Sequence, residues 1–210
     1  MLSNQLLQRA YEDYKFLINR GYNRKPALDL VSARYGLSKK ERLLLYRCTH
    51  TDEEVEAIRQ KKVEAPEEVM VDGYNISLTL LSAIYNDDVF ICDDGLVRDL
   101  GLGKRKEKDE VFDSIVLIAE FLSFKRVAFQ IVLDAQVSKS GELSNKLRKI
   151  GVNAITAKKA DMEVIVSGKV VVSNDFVVVM KANKVYDLLG DILKISSIKV
   201  PCFPPNPKNL

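Results

Sequence analysis

The sequence predicts an α/β fold with a mostly parallel sheet, preceded by a small all-helical unit. Two observations support this prediction. In residues 1–62, called the helical unit below, apolar side chains recur at helical spacing between helix start and stop signals. After residue 68, short β-rich apolar runs alternate with helical stretches, which is typical of a three-layer α/β domain. Hydrophobic residues make up 47% of the 210 positions, so the chain can bury a core.

Local signals predict four short helices in the helical unit. The first helix stops at Gly21, and the second opens at Pro26 and stops at Gly36, because proline suits a first helical turn and glycine a C-terminal stop. Ser38 and Thr51 each begin a Ser/Thr-x-x-Glu capping box. These two boxes start the third and the fourth helix.

The α/β part of the chain, residues 69–200, is predicted to follow a linker at 63–68. Its predicted strands are 69–71, 89–92, 127–133, 152–155 and 170–172. Its predicted helices are 76–85, 110–124, 141–150 and 161–166. Residues 101–108 are expected to form an exposed basic loop. They lack the glycine spacing of a phosphate-binding loop, so none is predicted there. Four of the six prolines lie in 201–210, which is expected to form an extended tail.

The positive charge of the chain is concentrated in the helical unit. That unit holds 13 Lys and Arg against 8 Asp and Glu, whereas the remainder holds 19 against 21. A basic unit beside a mildly acidic remainder suggests that the helical unit binds a polyanion, although solvated surface charge explains the imbalance equally well. The side chains expected to contact phosphates are Arg20, Arg24, Lys25, Arg34, Arg42 and Arg47.

Composition also limits the compartment and the chemistry. No apolar run approaches the roughly 18 residues of a membrane span, and the first residues do not resemble a signal peptide. The cysteines Cys48, Cys92 and Cys202 are odd in number and far apart, so we expect reduced thiols in a cytoplasmic protein. The single histidine, His50, is expected at the surface without a role, so catalysis would depend on carboxylates.

The most informative feature is a set of aspartates that follow predicted strands. They are Asp72, Asp93, Asp94, Asp134 and Asp175, and Asp161 stands at a predicted helix start. Because parallel strands end at one edge of a sheet, these carboxylates should converge and would repel one another without a hard cation such as Mg²⁺ or Mn²⁺. A single aspartate in such a position is more often a turn former or a helix cap, and Asp93 and Asp94 fit a cap best.

The segments around two of these aspartates, Asp72 and Asp175, resemble motifs of the PIN-like ribonucleases. Val-Asp-Gly-Tyr-Asn at 71–75 resembles the Asp-Gly-x-Asn motif of the NYN branch, and Val-Val-Ser-Asn-Asp at 171–175 resembles the late strand of regnase-type members. The resemblance implies a Rossmann-like PIN domain with Mg²⁺- or Mn²⁺-dependent endoribonuclease activity. The catalytic residues that it implies are Asp72, Asn75, Asp134, Asp161 and Asp175, of which Asp72, Asp161 and Asp175 would bind the metal.

The layout of nearly the whole chain also resembles a family of largely uncharacterised prokaryotic proteins that pair a helical domain with a PIN-like domain. They carry Asp-x-x-Val-Ser-x-Ser-Gly-Glu, which stands here at 134–142. Within it, Ser138, Lys139 and Ser140 lie at a predicted helix start, where hydroxyls and a cation suit a substrate phosphate. Plain N-capping by either serine explains the same pattern.

Together these patterns predict a metal-dependent endoribonuclease whose helical unit helps to bind RNA. An RNA-binding PIN-like protein with little or no catalysis is one alternative. A helix-turn-helix DNA-binding regulator is another, because two predicted helices flank a short turn at Gly36. A phosphotransferase that uses the same carboxylates is a weaker alternative. The sequence leaves open whether the chain forms a homodimer.

Overall fold

The computed structural model describes residues 4–103 and 108–205. Its helices are α1 (Asn4–Asn19), α2 (Arg24–Tyr35), α3 (Lys39–Cys48), α4 (Asp52–Lys61), α5 (Gly73–Ile84), α6 (Lys108–Phe124), α7 (Ser140–Lys149), α8 (Ala160–Val166), α9 (Phe176–Lys181) and α10 (Leu188–Ile195). Its strands are β1 (Glu68–Asp72), β2 (Val89–Ile91), β3 (Val97–Asp99), β4 (Ala128–Asp134), β5 (Ala154–Ala157) and β6 (Val170–Val172). Within these two ranges, no helix is both long enough and apolar enough to cross a membrane.

The predicted α/β fold with a parallel sheet behind an N-terminal helical region is confirmed. Four strands lie in the order β5-β4-β1-β6, and each neighbouring pair is parallel. The chain passes from β1 to β4 and β5 on one side and then returns to β6 on the other side of β1. The strand order therefore reverses between β1 and β6. In open parallel sheets, ligands bind at such a switch point, beyond the carboxyl ends of the strands.

The four predicted helices of the helical unit are α1 to α4, and local contacts set their ends. Gly36 ends α2 in the left-handed conformation, with φ at 62°. Ser38 and Thr51 accept bonds from the N–H groups of Glu41 and Glu54, at 3.3 and 3.1 Å, and each glutamate accepts a bond in return. These bonds satisfy donors that a helix start otherwise leaves unpaired.

The predicted strand at 89–92 does not belong to the parallel sheet. Its residues form β2, which pairs with β3 in a separate antiparallel hairpin. The Cys92 N–H donates to Leu96 O at 2.9 Å across the turn, and Gly95 provides a positive φ of 77°. A short apolar run does not reveal its partner, so the pattern predicted the strand but placed it in the wrong sheet. Asp93 and Asp94 therefore lie in the hairpin turn.

The helical unit packs against the hairpin and the C-terminal segment. Its buried core includes Cys92 and Leu100 from the region of the hairpin, and Phe203. A disulfide joins Cys48, at the end of α3, to Cys92, so the prediction of reduced thiols is wrong for this pair. The two cysteines are 44 positions apart in the chain, and no local pattern indicated their contact. Cys202 is free and exposed.

The predicted tail is extended where it is described. It runs beside β2, where Ile91 N–H donates to Pro201 O at 2.9 Å and Phe203 N–H donates to Ile91 O at 2.8 Å. The burial of Phe203 anchors this segment to the helical unit. Residues 206–210 of the tail and 104–107 of the predicted basic loop lie outside the described residues.

Gly73 begins α5 where the helix passes very close to β4. A Cβ atom here would lie 2.8 Å from both Ile131 Cγ2 and Leu133 Cδ2, and 3.0 Å from Val132 O. We expect Gly73→Ala to lower the free energy of unfolding by about 1–3 kcal/mol, the usual cost of overpacking. Gly141→Ala is the control, because nothing lies within 4 Å of its Cβ position. Denaturant titrations measure both variants, and equal stability of Gly73→Ala and wild type would contradict this prediction.

Candidate active site at the switch point of the sheet

The predicted metal-binding aspartates come from elements that meet at the switch point. Asp72 is the last residue of β1, and Asp175 directly precedes α9, which follows β6. Asp161 lies in the first turn of α8, the helix before β6. Asn75 lies in the first turn of α5, directly after β1. The strand order alone therefore brings these side chains to one edge of the sheet.

Hydrogen bonds join the segment after β1 to the segment after β6. The Ser173 hydroxyl donates to Asp72 Oδ2 at 3.0 Å and also lies 3.2 Å from Asn75 Oδ1. The Asn174 N–H donates to Asn75 Oδ1 at 2.7 Å. Asn75 thus supports the site by fixing the loop that leads to Asp175. Ser173, which the sequence analysis assigned no role, holds the Asp72 carboxyl.

Burial raises the pKa of the Asp72 carboxyl to about 6. The residue is only 9% exposed, and the loss of hydration disfavours its charged form. The carboxylates of Asp175 and Asp161 raise the pKa further, while the Ser173 hydroxyl and the Asn75 backbone N–H lower it. Asp161 and Asp175 therefore lie close enough to Asp72 for their charges to act on it.

Asp175 is exposed and caps α9. Its Oδ1 accepts bonds from the N–H groups of Val177 and Val178, at 2.9 and 3.1 Å. A cap role and a metal role are compatible here, since both bonds use the same oxygen and Oδ2 has no partner among the described residues. Asp161 is also exposed, in the first turn of its helix.

Asp134 ends β4, one strand further from the switch point. Its Oδ1 accepts the Gln136 N–H at 2.7 Å, so it shapes the turn after the strand. Burial raises the pKa of the neighbouring Tyr74 hydroxyl, and the charge of Asp134 raises it further. In the described residues, the Asp134 charge acts on Tyr74 and is not among the groups that shift the pKa of Asp72.

The chemistry of the three aspartates predicted to bind metal fits a hard divalent cation. They offer carboxylate oxygens, the ligand type that Mg²⁺ and Mn²⁺ prefer. Among the described residues, no Lys or Arg nitrogen lies within 4.0 Å of Asp72, Asp161 or Asp175, so the protein does not compensate their charge by ion pairs. Their oxygens do not all lie within 4.8 Å of one another. Mg²⁺ commonly keeps several waters and binds one or two carboxylates directly, so it does not require all three groups within this distance.

A second acidic cluster, which the sequence analysis did not predict, lies between the helical unit and the hairpin. His50 Nδ1 lies 2.6 Å from Asp93 Oδ1 and 3.8 Å from Asp94 Oδ2. Within residues 4–103 and 108–205, this is the one group of three or more His, Cys, Asp or Glu residues whose ligand atoms all lie within 4.8 Å of one another. The cluster could therefore hold a metal ion. His50 is buried, and the prediction of a surface residue is wrong.

Protein cations already compensate this second cluster. Lys15 Nζ lies 3.1 Å from Asp93 Oδ2, and the Arg98 guanidinium donates two bonds to Asp94, at 2.8 and 2.6 Å. Burial by itself would raise the pKa of Asp94, but Arg98, His50 and the Leu96 N–H together outweigh burial and the pKa lies below its usual value. Asp94 also accepts the Leu96 N–H in the hairpin turn. Asp93 and Asp94 were expected to cap a helix, but they lie in the hairpin turn and pair with cations instead.

Arg98 connects the second cluster to the candidate site. Its Nε donates to Asn174 O at 2.8 Å, and Asn174 lies between Ser173 and Asp175. The His50 ring stacks on Phe176, the first residue of α9, with ring centroids 4.6 Å apart. The loop that carries Asp175 is therefore held from the side of the hairpin as well as from α5. Arg98 and Asn174 are 76 positions apart, and no pattern in the sequence indicated their contact.

The predicted phosphate-binding segment lies at the start of α7. Lys139 occupies the N-cap position with a positive φ of 65° and makes no side-chain cap bond. Ser138 is exposed and Ser140 is buried, and neither side chain caps the helix. The alternative of plain N-capping by a serine is therefore wrong. Ser138 and Lys139 are exposed, and the Lys139 amine lies 3.9 Å from Glu142 Oε2.

Most side chains of the helical unit that were predicted to contact phosphates already have partners within the protein. The partners are Glu54 and Thr49 O for Arg24, Asp13 for Arg34, Asp29 for Arg42, Asp99 O for Arg47, and the Phe16 ring for Arg20. Lys25 is exposed and has no ion pair with the described residues. Arg47 and Lys40, which pairs with Asp88, hold α3 against the hairpin.

Comparisons with known protein families divide the chain at residue 61. The family described as "Domain of unknown function (DUF5616)" matches residues 61–191. The chain belongs to this family. The family described as "Protein of unknown function (DUF434)" matches residues 6–61.

A relative from an archaeon has the same extent. The chain is 33% identical over 202 residues to "Uncharacterized protein MJ0935" of Methanocaldococcus jannaschii, across 90% of this chain and 97% of the relative. No solved structure matches the chain. These names assign no activity, so the resemblance to PIN-like ribonucleases stays a prediction.

Proposed function

We propose that this protein is a metal-dependent endoribonuclease that hydrolyses RNA phosphodiester bonds. The observation that supports this most is the buried Asp72 carboxyl at the switch point, on which the charges of Asp161 and Asp175 act, while no Lys or Arg of the described residues pairs with any of the three. A carboxyl whose pKa is strongly shifted by burial and by specific charges is typical of functional sites. The motifs at 71–75 and 171–175, which resemble those of PIN-like ribonucleases, suggest the reaction class.

In this proposal, Asp72, Asp161 and Asp175 hold Mg²⁺ or Mn²⁺. When bound, such an ion orients and activates water and neutralises charge on the phosphodiester. The Ser173 hydroxyl orients the Asp72 carboxylate by donating to Oδ2, and Asn75 fixes the loop that presents Asp175. The bonds that cap α9 hold Asp175 Oδ1 and leave Oδ2 free to face the ion.

We further propose that the helical unit aids RNA binding and that the protein acts in the cytoplasm. Lys25 and Arg20 are exposed on the helical unit, and Ser138 and Lys139 are exposed beside the sheet edge. Contacts of such cations with phosphates release counterions, so RNA binding should weaken as salt rises. Arg24, by contrast, supports the fold through its bonds to Glu54 and Thr49.

Cleavage of labelled RNA by the purified full chain tests the proposal. We expect shortened fragments with Mn²⁺ or Mg²⁺, none with EDTA, and none with Asp72→Asn. Asp113→Asn is the matched control, because Asp113 is an exposed aspartate of α6 away from the switch point, and it should cleave as the wild type does. RNA binding without metal-dependent cleavage would overturn the nuclease and favour the RNA-binding alternative. Cleavage retained by Asp72→Asn would exclude this site.

A further inference from the structure

A cleft of about 510 Å³ lies between α5, α6 and α7. This volume is within the usual range of ligand pockets, about 300–1,000 Å³. Tyr74, two residues after Asp72, forms one wall, and Val137 and Ser138, which follow β4, form another. The cleft is therefore lined by segments that follow β1 and β4, the strands that end in Asp72 and Asp134. Its other apolar walls are Leu78, Val111, Phe112 and Leu143.

The charges of the cleft favour a neutral group inside it and a phosphate at its rim. Lys139 and Lys146 stand at the end formed by α7 and are exposed. Among the described residues, three carboxylates also line the cleft, those of Asp99, Asp109 and Glu142, and Glu142 lies 3.9 Å from the Lys139 amine. A phosphate inside would meet these carboxylates at close range and be repelled. An aromatic ring with amino or keto groups would instead pack on the apolar walls and accept or donate hydrogen bonds at the polar ones.

We propose that the cleft binds one unpaired nucleobase of an RNA strand, next to the phosphate that lies at the aspartates. Bases of single strands bind proteins by stacking on aromatic side chains, and Tyr74 and Phe112 provide rings in the walls. Ser138 and Lys139 then contact the phosphate of the same nucleotide. A paired base cannot enter, so the cleft selects single-stranded RNA. This inference rests on the proposed function for the path of the strand, but base binding itself requires no cleavage.

Fluorescence of a short single-stranded RNA that carries 2-aminopurine measures base binding directly, because stacking on an aromatic ring quenches this base. The measurement is made with EDTA and repeated with Ca²⁺, so that cleavage does not interfere. We expect quenching with the wild type and none with the same RNA in a duplex. Since the chain has no tryptophan, its own fluorescence does not obscure the signal.

Leu78→Glu blocks the cleft, and we expect it to weaken binding by about fivefold to a hundredfold, the usual effect of losing one stacked base. Leu117→Glu is the matched control, since Leu117 is 44% exposed on α6 outside the cleft, whereas Leu78 is 38% exposed on α5. Tyr74→Leu should reduce the quenching while it preserves apolar volume. Thermal melts confirm that each variant folds.

Quenching and affinity that are unchanged in both folded variants would overturn this inference, and so would the absence of RNA binding in EDTA and in Ca²⁺. The cleavage experiment fails or succeeds separately. Quenching that depends on Tyr74 and Leu78, in a protein that does not cleave RNA with Mn²⁺, would support the base site and overturn the proposed nuclease.

Discussion

Asp72→Asn is expected to raise the free energy of unfolding of the metal-free protein at neutral pH. Burial holds the folded-state pKa of Asp72 at about 6, about two units above that of an unfolded aspartate. Ionising this carboxyl in the folded protein therefore costs up to about 3 kcal/mol, at about 1.4 kcal/mol per unit. Asparagine keeps the size of the side chain and an oxygen that can accept the Ser173 hydroxyl, so it removes only the cost of the charge.

The same pKa shift defines how this difference in stability depends on pH. Because the folded-state pKa lies above the unfolded-state pKa, the stabilisation by the bound proton is complete below about pH 4 and is lost as the pH rises through about 6. The advantage of Asp72→Asn over wild type should grow across this range and then level off. Denaturant titrations at several pH values measure it, with Asp113→Asn as the control. Lower stability of Asp72→Asn at neutral pH would contradict the burial argument.

Mn²⁺ should stabilise the wild type and have little effect on Asp72→Asn. An ion that binds only the folded state adds about 2.7 kcal/mol at a hundredfold excess over its dissociation constant. In EDTA, Asp175→Asn should have the same melting temperature as the wild type, because asparagine also caps helices well. With Mn²⁺, it should lose part of the stabilisation that the ion gives to the wild type. A full gain retained by Asp72→Asn would remove this residue from the metal site.

Arg98→Met is expected to lower the free energy of unfolding by about 3–5 kcal/mol, the usual effect of removing one partner of a buried ion pair. The Arg98 and Asp94 side chains are only 7% and 0% exposed, and loss of the guanidinium leaves the Asp94 charge buried without its bidentate partner. It also removes the donor to Asn174 O, so the loop before Asp175 loses a support. Arg59→Met, at an exposed arginine of α4, is the control and should have little effect.

A second substitution separates the ion pair from simple loss of packing. Asp94→Asn removes the charge and keeps an oxygen that can accept the Leu96 N–H. The double variant Asp94→Asn/Arg98→Met should therefore regain much of the stability that Arg98→Met loses, and denaturant titrations of the three variants give the coupling energy. Additive effects of the two substitutions would show that the charges do not interact as the structure indicates.

The sequence alone determined the elements whose causes are local. The capping bonds of Ser38 and Thr51 span only three residues, so the residue types specify them wherever the helices pack. The central strands β1 and β4 bury consecutive residues, and so side chains on both faces, and are therefore recognisable as short apolar runs. The same logic placed Asp72 and Asp175 near one edge, because aspartates after parallel strands share an edge in any such fold.

Only the tertiary structure decided which elements pair and which charges meet. The apolar run of β2 fits a parallel sheet or a hairpin equally well, and its partner β3 assigns it to the hairpin. His50 contacts Asp93 from 43 positions away, and Arg98 contacts Asn174 from 76. Burial and charge compensation depend on the neighbours that the fold supplies, and these neighbours leave no periodic pattern in the chain. For that reason a histidine predicted at the surface is buried and contacts Asp93, and an arginine to which the sequence patterns assign no role supports the candidate site.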